Sequence, residues 1–361
     1  MTQREREVLN LIGEDPMISR QTLAEKLGIS QSSVAAHISH LMKKGYIAGK
    51  GYVLRNPSYA VVVGGVNMDI GGRSDVPPVP RDSNPGRVHM SLGGVGRNIA
   101  HNLALLGTDV RMLTAFGDDL YAQKIAASCG ELGIDISRSL QVPGCNTSTY
   151  LFLADEKGDM ALAVSDMEIY RHLTPDVLRA RRDLLDNAQV VILDTNIPEA
   201  SIVWLCENIK VPIFADPVST AKAERLRCVL GRIHTLKPNR LEAELLSGVN
   251  ITDQKSMERA ARVLLDTGLR RVFLSLGEEG VYAADHNGTL RQPCLPAQME
   301  NATGAGDAFM AALAWAYLEG NDLEHTARLA QAAAAIAVEG RETINPQMSA
   351  HAVRARAAYC T

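Results

Sequence analysis

The sequence predicts an α/β protein: a three-layer α/β/α domain on a mostly parallel sheet, with extra strands outside that sheet and a small helical domain in front. Three observations predict it. After residue 58, short and almost wholly apolar β-rich runs alternate with amphipathic helices, the pattern of a parallel sheet covered on both faces. Two stretches then break that rhythm. Residues 70–92 carry four prolines, and residues 147–166 hold the runs Tyr150-Leu151-Phe152-Leu153 and Met160-Ala161-Leu162-Ala163-Val164, which read as antiparallel strands outside the main sheet. Charge also divides the chain: residues 1–57 hold eight Lys/Arg against five acids, while the remainder holds 29 against 36. A basic module on an acidic body points to a partner of its own, nucleic acid among the candidates.

The elements follow in order. Val8, Leu9, Leu11 and Ile12 give a first helix its apolar face, Ser19 caps a second from Arg20 to Leu27, and Gly28-Ile29-Ser30 turns the chain. Ser30 caps a third helix, Gln31 to Lys44, with Val34, Ile38, Leu41 and Met42 inward, and Gly45 stops it. Tyr46-Ile47-Ala48 and Tyr52-Val53-Leu54 flank Gly49-Lys50-Gly51 as a β-wing. The module resembles a winged helix-turn-helix, which implies DNA contacts from Gln31, Ser32, Ser33, Ala36 and His37 at the recognition helix and Lys50 on the wing, with Lys43 and Lys44 on phosphates. A dimerisation or packing module fits the same pattern. Asn56-Pro57-Ser58 is the expected linker, giving domains 1–57 and 58–361.

In the body, strands are expected at Ala60–Val63, Val110–Thr114, Val190–Asp194, Ile213–Asp216, His234–Leu236 and Val272–Leu276. Helices are expected at Val95–Leu106, Tyr121–Leu132, Glu199–Ile209, Arg240–Leu246 and Met257–Leu265. Asp118, Asp119, Arg179, Arg181 and Arg182 read as solvated faces.

Two glycine-rich segments carry chemistry. Asn301-Ala302-Thr303-Gly304-Ala305-Gly306-Asp307 enters an apolar helix, and small residues there let backbone N–H groups converge on an anion at a helix N-terminus. Asp307 is placed to take a proton from an attacking hydroxyl. By itself the string suits an ordinary helix start equally well. Gly93-Gly94-Val95-Gly96-Arg97-Asn98 leads into a second apolar helix, so the two could hold the two ends of one reaction.

These segments, with Asn67-Met68-Asp69, Asn239-Arg240-Leu241-Glu242 and Ser275-Leu276-Gly277-Glu278-Glu279-Gly280, resemble the signatures of the ribokinase-like (PfkB) carbohydrate kinases across residues 59 to 350. The resemblance implies the ribokinase-like three-layer fold, with the lid strands of residues 70–92 and 147–166 as a β-lid that closes over the sugar and often mediates dimerisation. It implies Asp307 as general base and Gly304, Ala305 and Gly306 as an anion hole. Asn239 and Glu242 then orient Mg²⁺, Glu242 through water, and Ser275, Gly277 and Gly280 lie along ATP. Asp69 and Asn98 grip sugar hydroxyls, Gly93 and Gly94 allow close approach, and Asn67 helps.

Within the family, Asp82-Ser83-Asn84-Pro85-Gly86, Asn146-Thr147-Ser148-Thr149-Tyr150, Ser165-Asp166-Met167 and Asp216-Pro217-Val218-Ser219 resemble the pseudouridine kinases. That implies transfer of phosphate from ATP to the 5′-hydroxyl of pseudouridine, with Ser83, Asn84, Thr149 and Asp166 as candidates for the nucleobase. Ribose, fructose and uridine stay open as substrates. So does a regulator that uses a kinase-like body as ligand sensor. One departure concerns K⁺: Asn301-Ala302 stands where the family has Asp-Thr, and an uncharged amide weakens the case for a cation held with carbonyls near Arg341 and Asn345.

Composition excludes other classes. No apolar run approaches the roughly 20 residues of a membrane span, and Met1-Thr2-Gln3-Arg4-Glu5-Arg6-Glu7 lacks a signal-like apolar core. The six cysteines and nine histidines show no metal spacing. A cytoplasmic enzyme with reduced thiols is expected.

Overall fold

Hydroxyl side chains start the three helices of the amino-terminal unit. Thr2, Ser19 and Ser30 each accept a backbone N–H three residues on and begin helices Gln3–Glu14, Arg20–Leu27 and Gln31–Lys43. In the computed structural model, which describes residues 1–47, 49 and 58–358, they belong to one unit, Met1–Ser58. Val8, Ile12, Leu23, Val34, Ile38, Leu41 and Ile47 pack its core.

One carboxylate is buried in this unit. Glu5 closes the capping box with Thr2 and takes Lys44 Nζ at 2.7 Å. The Lys44 hydrogen bond, then the Thr2 N–H, hold its pKa down at about 2. Lys44 is therefore tied to the first helix, which corrects its expected role as a free phosphate contact. On the third helix Gln31 and Ser32 are exposed, whereas Ser33 and His37 are half-buried. The hydroxyls of Ser32 and Ser33 both bond to Ser30. The expected wing, with Lys50, and the linker Asn56-Pro57 lie largely outside the described residues.

The second unit, Tyr59–Thr361, contains in chain order β1 (Tyr59–Val63), β2 (Asn67–Ser74), β3 (Gly86–Gly93), β4 (Asp109–Leu113), β5 (Ala115–Phe116), β6 (Leu140–Gln141), β7 (Thr149–Ala154) and β8 (Met160–Asp166). There follow β9 (Val190–Asp194), β10 (Ile213–Asp216), β11 (Thr235–Leu236), β12 (Arg271–Ser275), β13 (Val281–Asp285) and β14 (Gly288–Gln292). The main sheet has the order β14-β13-β12-β11-β10-β9-β1-β4. Its strands are parallel from β4 to β12, and β13 and β14 add an antiparallel edge.

Alternation along β1 and β9 divides the interior between two cores. Val61, Val63, Val191 and Leu193 face one, beneath helices that include Glu199–Asn208 and Gln254–Asp266. Ala60, Val62, Val190 and Ile192 face the other, under helices Val95–Leu105, Ala305–Leu318 and Leu323–Val338. Each expected strand and helix is present, with ends shifted by a few residues. Among the described residues no helix is long and apolar enough to cross a membrane.

The strands outside the main sheet form a second sheet, β3-β2-β7-β8. The expectation of purely antiparallel strands needs correction, because β2 and β7 pair in parallel. The register sorts its side chains. Asp69, Ser91, Tyr150 and Ser165 share one face, as do Gly71, His89 and Phe152 a step along; Met68, Leu92, Thr149 and Asp166 share the other. That other face continues into Val88, Met90, Leu151, Leu153, Leu162 and Val164, all exposed.

The Glu5–Lys44 pair generates a prediction. Glu5 has its pKa lowered in the fold, so its stabilisation is present above about pH 4.5 and is lost as pH falls toward 2. In the full-length chain, Glu5→Gln should lower hydrogen-exchange protection across residues 1–47 at pH 7 while leaving the second unit unchanged. Equal protection in the two proteins would show that the pair contributes nothing.

Candidate active site

At the C-terminal ends of the parallel strands two helices begin with glycine, where many others begin with a capping side chain. Gly94 precedes Val95–Leu105 and Gly304 precedes Ala305–Leu318, and neither start has a side-chain cap. Gly304 has φ of 85°, and a Cβ there would overlap the Thr343 carbonyl, so this position requires glycine. First-turn N–H groups at Ala305, Gly306 and Asp307 are left without a side-chain acceptor, in the position a helix offers to an anion.

The two starts meet through one hydrogen bond. Asn98 Nδ2 donates to Asp307 Oδ2 at 2.8 Å, joining residues 209 positions apart. Asn98 is buried, and its Oδ1 has no partner. A buried acceptor without a donor is costly, so a hydroxyl of a bound molecule is the natural complement.

Charge is concentrated around Asp307. Burial first, then the neighbouring Asp216, pushes its pKa up to about 7, against the Asn98 bond and Lys237, which lower it. Lys237 is buried, its Nζ lies 3.2 Å from Asp216, and a side chain at Gly306 would begin 3.4 Å from it. Burial opposes the charge on Lys237. Asp216, Asp307 and Glu242 outweigh that and raise its pKa above the ordinary value. Asp194, raised by burial to about 6, accepts from the N–H groups of Gly65 and Asn196 and so shapes the loop after β1. Val218 has φ of 63°, a strained region for a β-branched residue, and its N–H donates to Asp216 at 2.9 Å.

A cavity of about 580 Å³ opens beside this cluster. Ser275, Gly277, Gly280, Ala305 and Gly306 all line it, so the structure brings these sequence-predicted residues together. Lys237, Cys294, Met299, Phe309 and Gln331 join them, although sequence reasoning named none of these as site residues. Asn239 and Glu242 form a reciprocal capping box at the start of Arg240–Ser247. Glu242 is buried and raised above its ordinary range chiefly by burial. With Asp216 it offers hard carboxylate oxygens of the kind that suit Mg²⁺.

On the opposite side, Asn67 donates to Asp69, and a Cβ at Gly93 would overlap the Asp69 carboxylate. Burial raises the pKa of Asp69, with Asn67, Arg97 and His89 opposing. Asp69 therefore stands next to the helix start that carries Asn98. Thr149 and Asp166 do not share its face, and Tyr150 and Ser165 do. By period-two alternation, Tyr150 and Ser165 are the residues of these two strands on the Asp69 side, and the expected nucleobase contacts Thr149 and Asp166 are on the other. Asn84 bonds to Val79 and Asp82 within its own exposed turn, and Ser83 N–H bonds to Asp82; the structure does not bring either to the cluster. Asp119, expected to be solvated, caps helix Leu120–Glu131 and accepts both the N–H and the hydroxyl of Thr147 where the chain enters β7.

In the segment where K⁺ was considered, Asn301 Nδ2 donates to the Arg341 carbonyl at 3.2 Å and Asn345 Nδ2 to that of Ile336 at 2.6 Å. The first of these occupies the carbonyl proposed as a cation ligand.

Comparison with known proteins agrees with this geometry. A model described as pfkB family carbohydrate kinase matches residues 57–350, and one described as winged helix-turn-helix DNA-binding matches residues 1–48. The uncharacterized sugar kinase YeiI of Escherichia coli (strain K12) is 41% identical over 352 residues, 97% of each chain. The pseudouridine kinase of the same organism is 40% identical over 298 residues, 82% of this chain and 95% of its own. Among solved structures, a carbohydrate kinase from Agrobacterium tumefaciens superposes with a TM-score of 0.73 at 28% identity, covering 83% of this chain and 97% of that one. The ribokinase of Thermotoga maritima gives 0.74 at 25%, covering 83% and 99%.

The raised pKa of Asp307 generates a stability prediction. Its ionised form is disfavoured in the fold, so the penalty grows as pH rises from about 4 to about 7 and is complete above that. Asp307→Asn should therefore be more stable than the parent at pH 8, by about 1–2 kcal/mol after loss of the Lys237 attraction. The advantage should vanish near pH 4. Denaturant midpoints at the two pH values test this, and a difference independent of pH would contradict it.

Proposed function

Because the chain belongs to the pfkB family of carbohydrate kinases and carries a winged helix-turn-helix domain in front of the kinase, we propose that it transfers the γ-phosphoryl group of ATP to the 5′-hydroxyl of pseudouridine. The observation that carries the catalytic half of this reading is the Asn98–Asp307 hydrogen bond beside an uncapped helix start and Lys237. The similarity to a pseudouridine kinase over most of the kinase domain supports the substrate.

Asp307 takes the proton of the 5′-hydroxyl as that oxygen attacks the γ-phosphorus, and the bond to the β-phosphate oxygen breaks to release ADP. A base with a pKa near the working pH suits this step, since it is ionised often enough to act and basic enough to hold the proton. The N–H groups of Ala305, Gly306 and Asp307, with Lys237, meet charge on the transferring oxygens. Asn98 Oδ1 accepts from a sugar hydroxyl while Nδ2 orients the base, and Asp69, steadied by Asn67, accepts from others. Asn239, Glu242 and Asp216 would hold Mg²⁺, which neutralises phosphate charge when bound.

A second reading keeps the chemistry and changes the acceptor. YeiI matches through both domains, and its description names no substrate beyond sugar, so ribose, fructose or uridine are the competitors. Use of the kinase body purely as a sensor accords poorly with an intact base, anion site and lysine.

Two partner surfaces complete the proposal. The apolar face of the second sheet, from Val88 and Met90 to Leu162 and Val164, is the lid face through which two copies pair. The exposed start of helix Gln31–Lys43, with Lys43, contacts DNA.

With saturating ATP, pseudouridine should exceed uridine in kcat/KM by about tenfold or more, because a site that pairs the extra ring N–H leaves a buried acceptor unpaired with uridine. Asp307→Asn should lower kcat by roughly 10²- to 10⁴-fold with little change in ATP affinity. Equal use of the two nucleosides, or a preference for free ribose, would remove the pseudouridine assignment. Near-parental turnover of the variant would remove Asp307.

A protein starting at Ser58 should keep kinase activity and lose DNA binding, and binding by the intact chain should weaken steeply with salt as phosphate counterions are released. Val164→Asp should shift the light-scattering mass from dimer to monomer. A parent that is monomeric, or that holds no DNA at low salt, would contradict the corresponding surface.

A further inference from the structure

Among the described residues the kinase domain buries two cations, Lys237 and Arg97. Arg97 is 4% exposed and is the third residue of helix Val95–Leu105, where burial and the positive end of the helix dipole both disfavour a cation. Its direct contacts are neutral. The backbone N–H donates to the Gly65 carbonyl at 3.1 Å, Nη1 to the Leu92 carbonyl at 3.2 Å and Nη2 to the Ser128 hydroxyl at 3.0 Å. Nε is buried with no partner among the described residues.

The counter-charge is Asp69. Burial lowers the Arg97 pKa, while Cys129 and then Asp69 act in the other direction. Burial keeps Cys129 a neutral thiol. One turn further along the helix His101 has an unpartnered Nδ1, and burial, then Arg97, hold its pKa down at about 4, so it is uncharged as well. Contacts agree with this assignment. The Leu92 carbonyl held by Arg97 belongs to the peptide leading into Gly93, and a Cβ at Gly93 would overlap the Asp69 carboxylate. Ser91 pairs with Asp69 and Leu92 with Met68 across β2 and β3. The guanidinium therefore ties the end of β3 that flanks Asp69 to Ser128 on helix Leu120–Glu131.

We propose that Arg97 is a positioning residue for the phosphoryl acceptor: it fixes the end of β3 beside Asp69 and supplies the charge that keeps this carboxylate ionised while it accepts sugar hydroxyls. This rests on the reading of Asp69 as a ligand of the acceptor. An ionised carboxylate accepts at both oxygens, whereas a protonated one turns one of them into a donor. Burial raises the Asp69 pKa, and Asn67, Arg97 and His89 oppose it. Of these Arg97 carries the permanent charge, since arginine stays protonated at any working pH. Without it Asp69 takes up a proton at higher pH, and acceptor binding weakens as pH falls.

The test follows acceptor kcat/KM against pH, with whichever of pseudouridine, uridine and ribose the parent phosphorylates best. Arg97→Gln keeps a donor for the Leu92 carbonyl and loses the charge; Arg97→Lys keeps the charge. For Arg97→Gln the variant-to-parent ratio should fall by about tenfold between about pH 8 and about pH 5.5, as expected when a neighbouring charge is removed from a carboxylate. The KM for ATP should not change, and Arg97→Lys should follow the parent across the range. His89, Tyr170 and Asp307 titrate or stay neutral alike in all three proteins, so the ratio isolates Arg97. A ratio lowered equally at every pH, or the same pH dependence in the lysine variant, would overturn the proposal.

Asp69→Asn separates this from the reading beneath it, and should raise the KM of the acceptor by about tenfold or more at about pH 8. An unchanged KM removes Asp69 as an acceptor ligand and the proposal with it. A raised KM together with a parent-like pH profile in Arg97→Gln removes the role of Arg97 alone. If Arg97→Gln by itself does not fold, the Asp69→Asn/Arg97→Gln double variant decides, because it removes both charges. A folded double variant shows that the two charges are coupled. An unfolded one assigns Arg97 to packing and overturns the proposal.

Discussion

Asp307 is a half-buried carboxylate whose ionised form its surroundings disfavour, and much of the nearby structure compensates for that. Its neighbours Asp194, Asp216 and Glu242 are buried acids, so several negative groups gather at the ends of the parallel strands with Lys237 as the buried cation among them. Such a cluster is tolerable only where backbone N–H groups and side-chain donors stand in for solvent. They do so here: Gly65 and Asn196 serve Asp194, Val218 serves Asp216, Asn239 serves Glu242 and Asn98 serves Asp307. The sheet makes this possible, because parallel strands deliver every following loop to one edge.

Helix starts differ in how their first turns are satisfied. Thr2, Ser19, Ser30, Asp119 and Asp253 satisfy the first turns of their own helices. Gly94 and Gly304 leave theirs open. A capping side chain at residue 304 would also have clashed with the Thr343 carbonyl. Local stability is forgone at this helix start, whose first-turn N–H groups are left open.

The second sheet has two faces with opposite business. Asp69, Tyr150 and Ser165 line one, and a continuous apolar surface covers the other. A slip of one residue in β7 would exchange them, so the buried Met68 and the contact between His89 and Phe152, with ring centroids 5.7 Å apart, help hold the register. Asp119 anchors the entry to β7 through Thr147. Two residues read from the sequence as nucleobase contacts lie on the apolar side because alternation is a property of the paired strand and cannot be seen in an isolated string.

The sequence by itself determined the class of fold, the helices and the parallel strands, since apolar periodicity and capping residues are local signals: Ser30, Asn239 and Gly304 marked their helix starts without help. The candidate site types Asp69, Asn98 and Asp307 were legible as well, although each string by itself suits an ordinary helix start or turn and only their ordered set resembles one family. The hairpin β13–β14 was not expected, its Ala283 and Ala284 carrying little strand preference outside the sheet. Tertiary structure alone decided that Asn98 would meet Asp307, that Lys237 would lie beside Gly306, that Lys44 would be engaged by Glu5 and that Gln331 would line a cavity. Each of these depends on residues far apart in the chain coming into contact, and a burial or hydrogen bond across such a separation leaves no period, cap or turn in the sequence from which to read it.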